Sequence, residues 1–443
     1  MLSVTQHTAY TSGTELDFAV KEIVRQALDI LGQQTGNTLD QILRLRFLDR
    51  LTAQQVANRL NLSENVVFKR QQAAIESLAD IIWRFEISAR AKHAERIRSR
   101  LELGGTWQLF GVNDKLDKLV DLLTANRAPW IVAVVGIGGI GKTVLADAGM
   151  RRVLGLSAFA DIAWVSARQS SFTLWQGLRP IPDKRPALTY ENLLDTVAEQ
   201  FGFRDLAQLP GRQKQEALRT RLQTRRYLVA IDNLETAADY QALLPSLCAL
   251  GGPTRFLLTC RDRLDGYPDV YNLNLGELSA QDSLALLRHQ VQERGLAGVV
   301  GAPDETLFQI YQATGGNPLA IKLVVGQMHA FSTHQIIQDL RQARGKSIQE
   351  LYRHIYWRAW QMLSTKAQQV WAVMPLVAES GGGIQQIAAI SQIRGGQLIE
   401  TLQQLVALSL VDVRGAADAR RYSIHRLTET FLLNEVVRWQ ARS

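Results

Sequence analysis

Cysteine is almost missing from this sequence, since only Cys248 and Cys260 occur in 443 residues. Both stand among apolar residues, which excludes a cysteine-based zinc site and suits a reducing compartment. Long hydrophobic runs are missing too. No apolar stretch approaches the roughly 18 residues of a membrane helix, and the N-terminus from Met1 to Thr14 is polar, unlike a signal peptide. We therefore expect a cytoplasmic protein with no membrane partner.

A strong excess of charge of one sign is also missing, because 50 basic side chains stand against 42 acidic ones. This balance permits contact with nucleic acid but does not by itself argue for it. Apolar residues make up 46% of the chain and charged residues 21%, which is ordinary for a globular protein. A chain of this length should hold about three or four domains.

The most informative stretch is 130–143, Trp-Ile-Val-Ala-Val-Val-Gly-Ile-Gly-Gly-Ile-Gly-Lys-Thr. Its apolar, β-branched start predicts a strand from Ile131 to Val135 that is buried on both faces. A glycine-rich loop, Lys142-Thr143 and a helical apolar pattern follow. This order matches the phosphate-binding loop, G-x-x-x-x-G-K-[ST] between a strand and a helix. A glycine-rich turn of a dehydrogenase-like fold gives no reason for Lys-Thr at these positions.

The residue types in this loop fit the chemistry of phosphate binding. Glycines leave room for a phosphate and permit positive φ angles that aim N–H groups inward, and the helix adds its positive end. Lys142 should reach the β- and γ-phosphates, and Thr143 should ligate Mg²⁺. We therefore expect a nucleoside triphosphate or diphosphate to bind here. The predicted contacts are Gly136, Gly138, Gly139, Gly141, Lys142, Thr143 and Val144.

A second apolar strand, from Tyr227 to Ile231, ends in Asp232. A carboxylate at this place, beside the phosphate loop, holds Mg²⁺ together with Thr143, so Asp232 is the predicted Walker B acid. Asn233 follows it and cannot act as a base. Glu235 could take that part only if the chain turns back towards the phosphate. The sequence thus predicts slow hydrolysis at most.

A third strand, Arg255 to Leu258, leads into Thr-Cys-Arg261. Arg261 would lie near the terminal phosphate and sense its presence; the alternative is a salt-bridged surface arginine. Residues 107–275 alternate short apolar runs with helical patterns, which predicts an α/β core with a parallel sheet and helices on both faces. A fourth strand is expected at Asp161–Val165, and the proline-rich segment Arg168–Glu191 as a surface loop.

The N-terminal residues 16–83 are predicted to be helical. Thr52 is a plausible N-cap for a helix Ala53–Leu60, and a tight turn at Asn61 precedes a second helix capped by Ser63. The stretch Leu48–Leu78 resembles the helix-turn-helix of bacterial sigma factors and response regulators, whose second helix enters the major groove. The positions that would face DNA are Glu64, Asn65, Lys69 and Arg70. A helical module for protein docking is the alternative.

The basic segment Arg84–Arg100 is either a solvated helix or a phosphate-contacting strip, so DNA contact through residues 48–100 stays open.

The C-terminal third is predicted to be mostly helical, with Leu410–Val413 and Arg421–Ile424 forming a two-stranded wing that Leu427–Trp439 closes. Helices followed by such a hairpin are typical of a winged-helix domain. The predicted domains are a helix-turn-helix domain at 1–103, a P-loop NTPase core at 104–275, a helical lid at 276–345 and a winged helix at 346–443.

In this order the motifs resemble the NB-ARC branch of the signal-transduction (STAND) ATPases, the nucleotide switches of plant resistance proteins and apoptotic adaptors. The matching stretches are Gly136–Thr143, Phe159–Gln169, Tyr227–Glu235, Arg255–Arg261, Gly316–Ala320 and Tyr422–Phe431. The resemblance implies that Pro318 packs on adenine, that Gly316 and Leu319 of the same motif also belong to the nucleotide site, and that His425 contacts the ADP β-phosphate. Arg426 replaces the family's aspartate after that histidine, and Val112 replaces an arginine near the adenine pocket.

The resemblance further implies a switch that is closed with ADP and open with ATP, and that self-associates on activation. The sigma-like N-terminus suggests a bacterial protein that regulates transcription or defence. The sequence given shows no C-terminal repeats, so the sensor is expected on a partner protein or on a longer form of the chain. Two alternatives are a DNA-acting AAA+ initiator or loader and a nucleotide-gated transcription regulator. Asn233 and the Gly-Asn-Pro-Leu-Ala element argue against the AAA+ enzyme.

Overall fold

The computed structural model describes residues 13–36, 38–101, 108–156, 158–167, 172–173, 181–182, 188–206, 208–237, 240–296, 301–329, 331–342, 348–377, 381–414 and 420–437. The chain forms two compact units, Met1–Ser99 and Arg100–Ser443. Most of the predicted loop Arg168–Glu191 lies outside the described residues, as does the end of the predicted helix Leu427–Trp439. Among the described residues, no helix is both long enough and apolar enough to cross a membrane.

The described residues of the first unit are mainly helical. Helices α1 (Gly13–Thr35) and α2 (Leu39–Leu43, continued by a π-helical turn, Arg44–Leu48) precede α3 (Ala53–Leu60) and α4 (Glu64–Arg100). Helix α3 has the predicted bounds, and the Thr52 side chain accepts a hydrogen bond from the Gln55 N–H within a reciprocal capping box. The turn after α3 places Asn61 at φ 53°, a left-handed conformation that asparagine tolerates.

Helix α4 differs from the prediction in its length. The expected second helix and the basic segment Arg84–Arg100 form one helix of 37 residues. The physical reason is that no glycine or proline interrupts the chain from Glu64 to Arg100, so nothing local ends the helix.

The second unit contains a five-stranded parallel sheet, as expected for the α/β core. Its strands are β1 (Ile131–Val135), β2 (Asp161–Ser166), β5 (Tyr227–Asp232), β6 (Arg255–Cys260) and β7 (Val270–Asn274), and they lie in the order β2-β5-β6-β1-β7. Strands β3 (Phe172–Thr173) and β4 (Ile181–Pro182) form a separate short pair. The central strands β1, β5 and β6 are buried along their whole length. Because parallel strands end at the same edge, the loops after these three strands lie together.

The sheet is covered by helices that precede β1 or connect its strands. They are α5 (Asn113–Thr124), α6 (Lys142–Gly155), α7 (Tyr190–Gln200), α8 (Gly211–Thr224) and α9 (Tyr240–Leu250). Strand β7 was not predicted, because Asn272 and Asn274 dilute its apolar pattern. Both asparagines bond loop groups: the Asn272 Oδ1 accepts from the Leu264 N–H at 2.9 Å, and the Asn274 Oδ1 accepts from the Arg263 guanidinium at 2.9 Å.

Beyond β7, the described residues of the second unit are mostly helical and include a hairpin, β8 (Asp412–Arg414) with β9 (Arg421–Ser423). The helices are α10 (Ala280–Glu293), α11 (Asp304–Thr314), α12 (Pro318–Gln327), α13 (Thr333–Gln342), α14 (Ile348–Met362), α15 (Thr365–Val373), α16 (Ile384–Ser391), α17 (Gly395–Ala407) and α18 (Arg426–Phe431, continued by a π-helical turn to Val437). One hydrophobic cluster runs from Leu278 to Val436 and includes residues on both sides of the predicted boundary at 345. Division into a lid and a winged helix stays a prediction.

Candidate nucleotide site

The phosphate loop connects β1 to α6 as predicted. Gly139 and Gly141 have φ angles of 76° and 101°, which only glycine adopts without strain. Helix α6 begins at Lys142, whose ammonium donates to the Gly136 carbonyl at 2.8 Å and to the Ile137 carbonyl at 3.1 Å. The cation is therefore held inside the curve of the loop by backbone oxygens.

Burial lowers the pKa of Lys142, and the nearby Arg261 guanidinium lowers it further. The carboxylates of Glu235 and Asp232 act in the opposite direction. Two cations that share a partly desolvated cleft repel each other. An anionic ligand such as a phosphate would relieve this repulsion, so the electrostatics of the loop fit the predicted ligand.

Asp232 ends strand β5 as a fully buried carboxylate. Its Oδ1 accepts from the Thr143 hydroxyl at 2.8 Å and from the Thr259 hydroxyl at 2.5 Å. Its Oδ2 accepts from the Asn233 amide at 2.5 Å. These donors compensate the cost of burying a charge. They also connect the loop, β5 and β6 at one point.

The pair of Thr143 and Asp232 fits Mg²⁺, which is usually held by one or two carboxylates together with the phosphates of a substrate. Within the described residues, no group of three or more His, Cys, Asp or Glu side chains could hold a metal ion alone. The residues that would hold Mg²⁺ here are Thr143 and Asp232, together with phosphate oxygens of the nucleotide.

The chain does turn back after Asp232. Asn233 is left-handed, with φ 58°, and a short 3₁₀ turn (Leu234–Thr236) follows. This turn brings Glu235 into the cleft, where its carboxylate pairs with Arg261 at 3.2 Å, measured from Oε1 to Nε. The sequence left two interpretations of Arg261, a residue beside the phosphate or a salt-bridged surface arginine. In the structure Arg261 both forms a salt bridge and lines the cleft.

Two further segments line the same cleft, and both belong to the part of the second unit that follows β7, residues 280–437, which we call the helical region. Pro318 and Leu319 at the start of α12 lie beside the loop. His425 lines it as the N-cap of α18, where its Nδ1 accepts from the Leu427 N–H at 3.1 Å. With Nδ1 acting as an acceptor, the neutral ring carries its proton on Nε2. That nitrogen is then a donor suited to a phosphate oxygen.

Three predicted site residues do not line the cleft. Gly136 and Asp232 lie beneath the residues that line the cleft. Gly136 is bonded to Lys142, and Asp232 is bonded to Thr143. Gly316 has a packing role, because its carbonyl accepts from the Leu278 N–H and a Cβ at this position would lie 2.4 Å from the Leu278 carbonyl oxygen. The segment before Val112 does not line the cleft either. Phe110 packs near His289, and Gly111 stands against Asp282.

Sequence reasoning missed two charged residues of the cleft, Lys322 and Asp412. Lys322 lies one helical turn after Pro318, so helical spacing could have indicated it. Burial lowers its pKa, and the charge of Asp412 opposes that shift. Asp412 had no sequence signal, because it reaches the cleft only through its pairing with Ser423 in the hairpin.

The geometry predicts the effect of Asn233→Asp. The amide that donates to Asp232 would become a second carboxylate at hydrogen-bond distance, which raises the pKa of one of the two acids. A carboxyl group with a raised folded-state pKa gives stability that is present at low pH and lost as pH rises through that value. Without Mg²⁺, the variant should therefore melt close to the wild type near pH 4 and below it at pH 7. An equal difference in melting temperature at both pH values would contradict the contact.

Residues 112–296 match the family model described as the NB-ARC domain. The chain is 26% identical over 275 residues to the probable disease resistance RPP8-like protein 2 of Arabidopsis thaliana, covering 59% of this chain and 27% of that protein. It is 28% identical over 226 residues to the regulatory protein AfsR of Streptomyces coelicolor, covering 49% of this chain and 20% of that one. The chain thus spans about a quarter of the length of these relatives.

Among solved structures, the chain is similar to a signal-transduction ATPase with numerous domains and a tetratricopeptide repeat sensor from Pyrococcus horikoshii. The identity is 16%, the TM-score is 0.48, and the match covers 76% of this chain and 44% of that one. The sequence match to the NB-ARC model spans the phosphate loop and strands β1, β2, β5, β6 and β7. Residues 112–296 of this chain are therefore an NB-ARC domain, which contains the phosphate loop.

Proposed function

We propose that the protein is an ATP/ADP switch of NB-ARC type that self-associates and signals through its N-terminal unit. The observation that supports this best is that one cleft is lined by the phosphate loop, by Arg261 directly after β6, by Pro318 of α12 and by His425 directly before α18. A nucleotide shifts a conformational equilibrium only through contacts that differ between states. Arg261 and His425 are the proposed differential contacts, for the terminal and the β-phosphate respectively.

Slow hydrolysis is part of the proposal. Asn233 donates its amide to Asp232, and an amide offers no base for an attacking water. Glu235 reaches the cleft, but its carboxylate is paired with Arg261. This carboxylate would have to leave the guanidinium before it could accept a proton from an attacking water, which supports a long-lived bound state over fast turnover.

The nucleotide that accompanies the protein tests this function. Purified protein should be denatured, and the released nucleotide should be identified by chromatography. We expect ADP in near-stoichiometric amount, with turnover of added ATP far below the typical enzyme median of about 10 s⁻¹. A protein that is empty after purification and hydrolyses ATP at that median rate would instead favour the AAA+ alternative.

Replacement of Lys142 tests the phosphate loop. Lys142→Ala should abolish nucleotide binding, and with it the stabilisation of about 2.7 kcal/mol that a ligand gives at 100 times its dissociation constant. Lys115→Ala, which removes an exposed lysine of α5, is the control and should keep both. A Lys142→Ala protein whose melting temperature still rises with ADP would rule out this loop as the site.

For the N-terminal unit we propose protein docking rather than DNA reading. On α4, Phe68 and Ile75 are exposed, and their seven-residue spacing places them on one face of the helix. Exposed apolar side chains suit a protein partner better than a phosphate backbone. The same proposal includes recruitment of proteins that act in transcription or in defence. It also includes a partner protein that supplies the sensor.

Salt-dependent DNA binding by the full chain decides between these roles. Each phosphate contact adds about 0.9 to the slope of log affinity against log salt. We expect Lys69→Gln/Arg70→Gln to change this slope no more than the control Lys115→Gln/Arg127→Gln, which removes the same charge from exposed positions of the second unit. A fall of about 1.8 in the first variant alone would establish DNA contact. Arg44 and Arg46 are unsuitable controls, because they bond Asp29, Asp40 and Gln71.

A further inference from the structure

We propose that Asn317 and Tyr352 are positioning residues that turn two N–H groups of the phosphate loop towards the nucleotide. This inference rests on the proposed nucleotide binding. It assigns a positioning role to two buried residues of the helical region. Asn317 immediately precedes α12, and Tyr352 lies in the first turns of α14. Both are buried, at 1% and 4% exposure.

The start of α12 holds two consecutive carbonyls of the loop. The Asn317 Nδ2 donates to the Gly138 carbonyl at 3.1 Å, and the Leu319 N–H donates to the Gly139 carbonyl at 3.3 Å. In a planar trans peptide the carbonyl and the following N–H point in opposite directions. Fixing these oxygens towards α12 therefore turns the N–H groups of Gly139 and Ile140 to the opposite side, which is how a phosphate-binding loop presents its donors.

Tyr352 fixes which end of the Asn317 amide faces the loop. Its hydroxyl donates to the Asn317 Oδ1 at 2.6 Å. The same oxygen accepts from the N–H groups of Leu319 and Ala320 at 3.1 and 3.3 Å. Three donors around one oxygen determine the orientation of the amide, because a flipped side chain would set its NH₂ group against them. The Nδ2 must then point at Gly138.

The close approach of Tyr352 also explains one glycine of the loop. A Cβ on Gly139 would lie 2.3 Å from the Tyr352 hydroxyl oxygen and 3.0 Å from the Leu319 Cβ. Position 139 therefore requires glycine for two reasons, because a side chain would collide with Tyr352 and because its φ angle is positive. Asn317 lies 35 positions from Tyr352 and 179 positions from Gly138 in the sequence. Because both loop carbonyls are bonded to the start of α12, a movement of α12 away from the loop would release them.

Tyr356 provides a matched control. It is buried on the same helix one turn later, and its hydroxyl accepts one hydrogen bond, from Thr428 at 3.0 Å. Tyr352→Phe and Tyr356→Phe each remove one buried hydroxyl, but only the first removes a bond to Asn317. Asn317→Ser is a second variant. Serine keeps a cap for α12, but its shorter side chain loses the bond to Gly138.

The test measures two quantities in the full chain, the dissociation constant for ADP by calorimetry and amide hydrogen exchange of residues 136–143 without nucleotide. We expect Tyr352→Phe and Asn317→Ser to weaken ADP binding about five- to tenfold, as the loss of one hydrogen bond does, and to speed exchange in the loop. Tyr356→Phe should leave both within about twofold of the wild type.

Two results would overturn the inference: loop exchange unchanged in Tyr352→Phe, or equal losses of affinity in both tyrosine variants, which would mean a general loosening of α14. If the wild type binds neither ADP nor ATP, the proposed function fails. The exchange measurement still decides in that case whether Asn317 and Tyr352 hold the loop.

Discussion

The buried carboxylate of Asp232 is the constraint on which the rest of the nucleotide cleft depends. A charge with no exposure is tolerated only when donors surround it, and here they come from three elements: Thr143 at the start of α6, Thr259 near the end of β6, and Asn233 next to Asp232 itself. Each bond fixes one loop at the carboxyl edge of the sheet. The positions of the phosphate loop and of Arg261 beside each other follow from this.

The phosphate loop also meets its own polar requirements. Buried or half-buried carbonyls need donors. The Gly136 and Ile137 oxygens receive them from the Lys142 ammonium, and the Gly138 and Gly139 oxygens receive them from the start of α12. The loop is thus organised from two sides, one inside its own motif and one from residues far along the chain. The state of the helical region and the shape of the phosphate site are thereby physically coupled.

Charge within the cleft gives a second form of coupling. Lys142 and Arg261 bring positive charge, and Glu235 partly compensates it through its pair with Arg261. A phosphate entering the site would compete with Glu235 for the guanidinium, since both present oxygens to the same donors. Lys322 and Asp412 add a second pair of opposite charges on the side of the helical region. A nucleotide that contacts both sides would change the balance of all these interactions at once.

Much of this protein follows from the sequence by itself, wherever the signal is local. Continuous apolar runs located β1, β2, β5 and β6, because strands buried on both faces need no alternation. Thr52 marked the start of α3 through its capping chemistry, and the order of glycines, Lys142, Thr143 and Asp232 indicated the nucleotide site. Each of these signals lies within one turn, one strand or one loop, although the nucleotide site combines two of them, the phosphate loop and the strand that ends at Asp232.

Tertiary structure decided what depends on distant parts of the chain. Strand β7 exists because β1 offers it an edge, although its asparagines weaken its own pattern. Gly316 is part of a recognisable motif, yet its packing against Leu278 keeps it out of the cleft, while Asp412 enters the cleft only through the hairpin. Asn317 and Tyr352 meet the loop across separations that no periodicity spans. Sequence patterns report which face of an element is apolar, but which side chains then meet is set by how the elements pack.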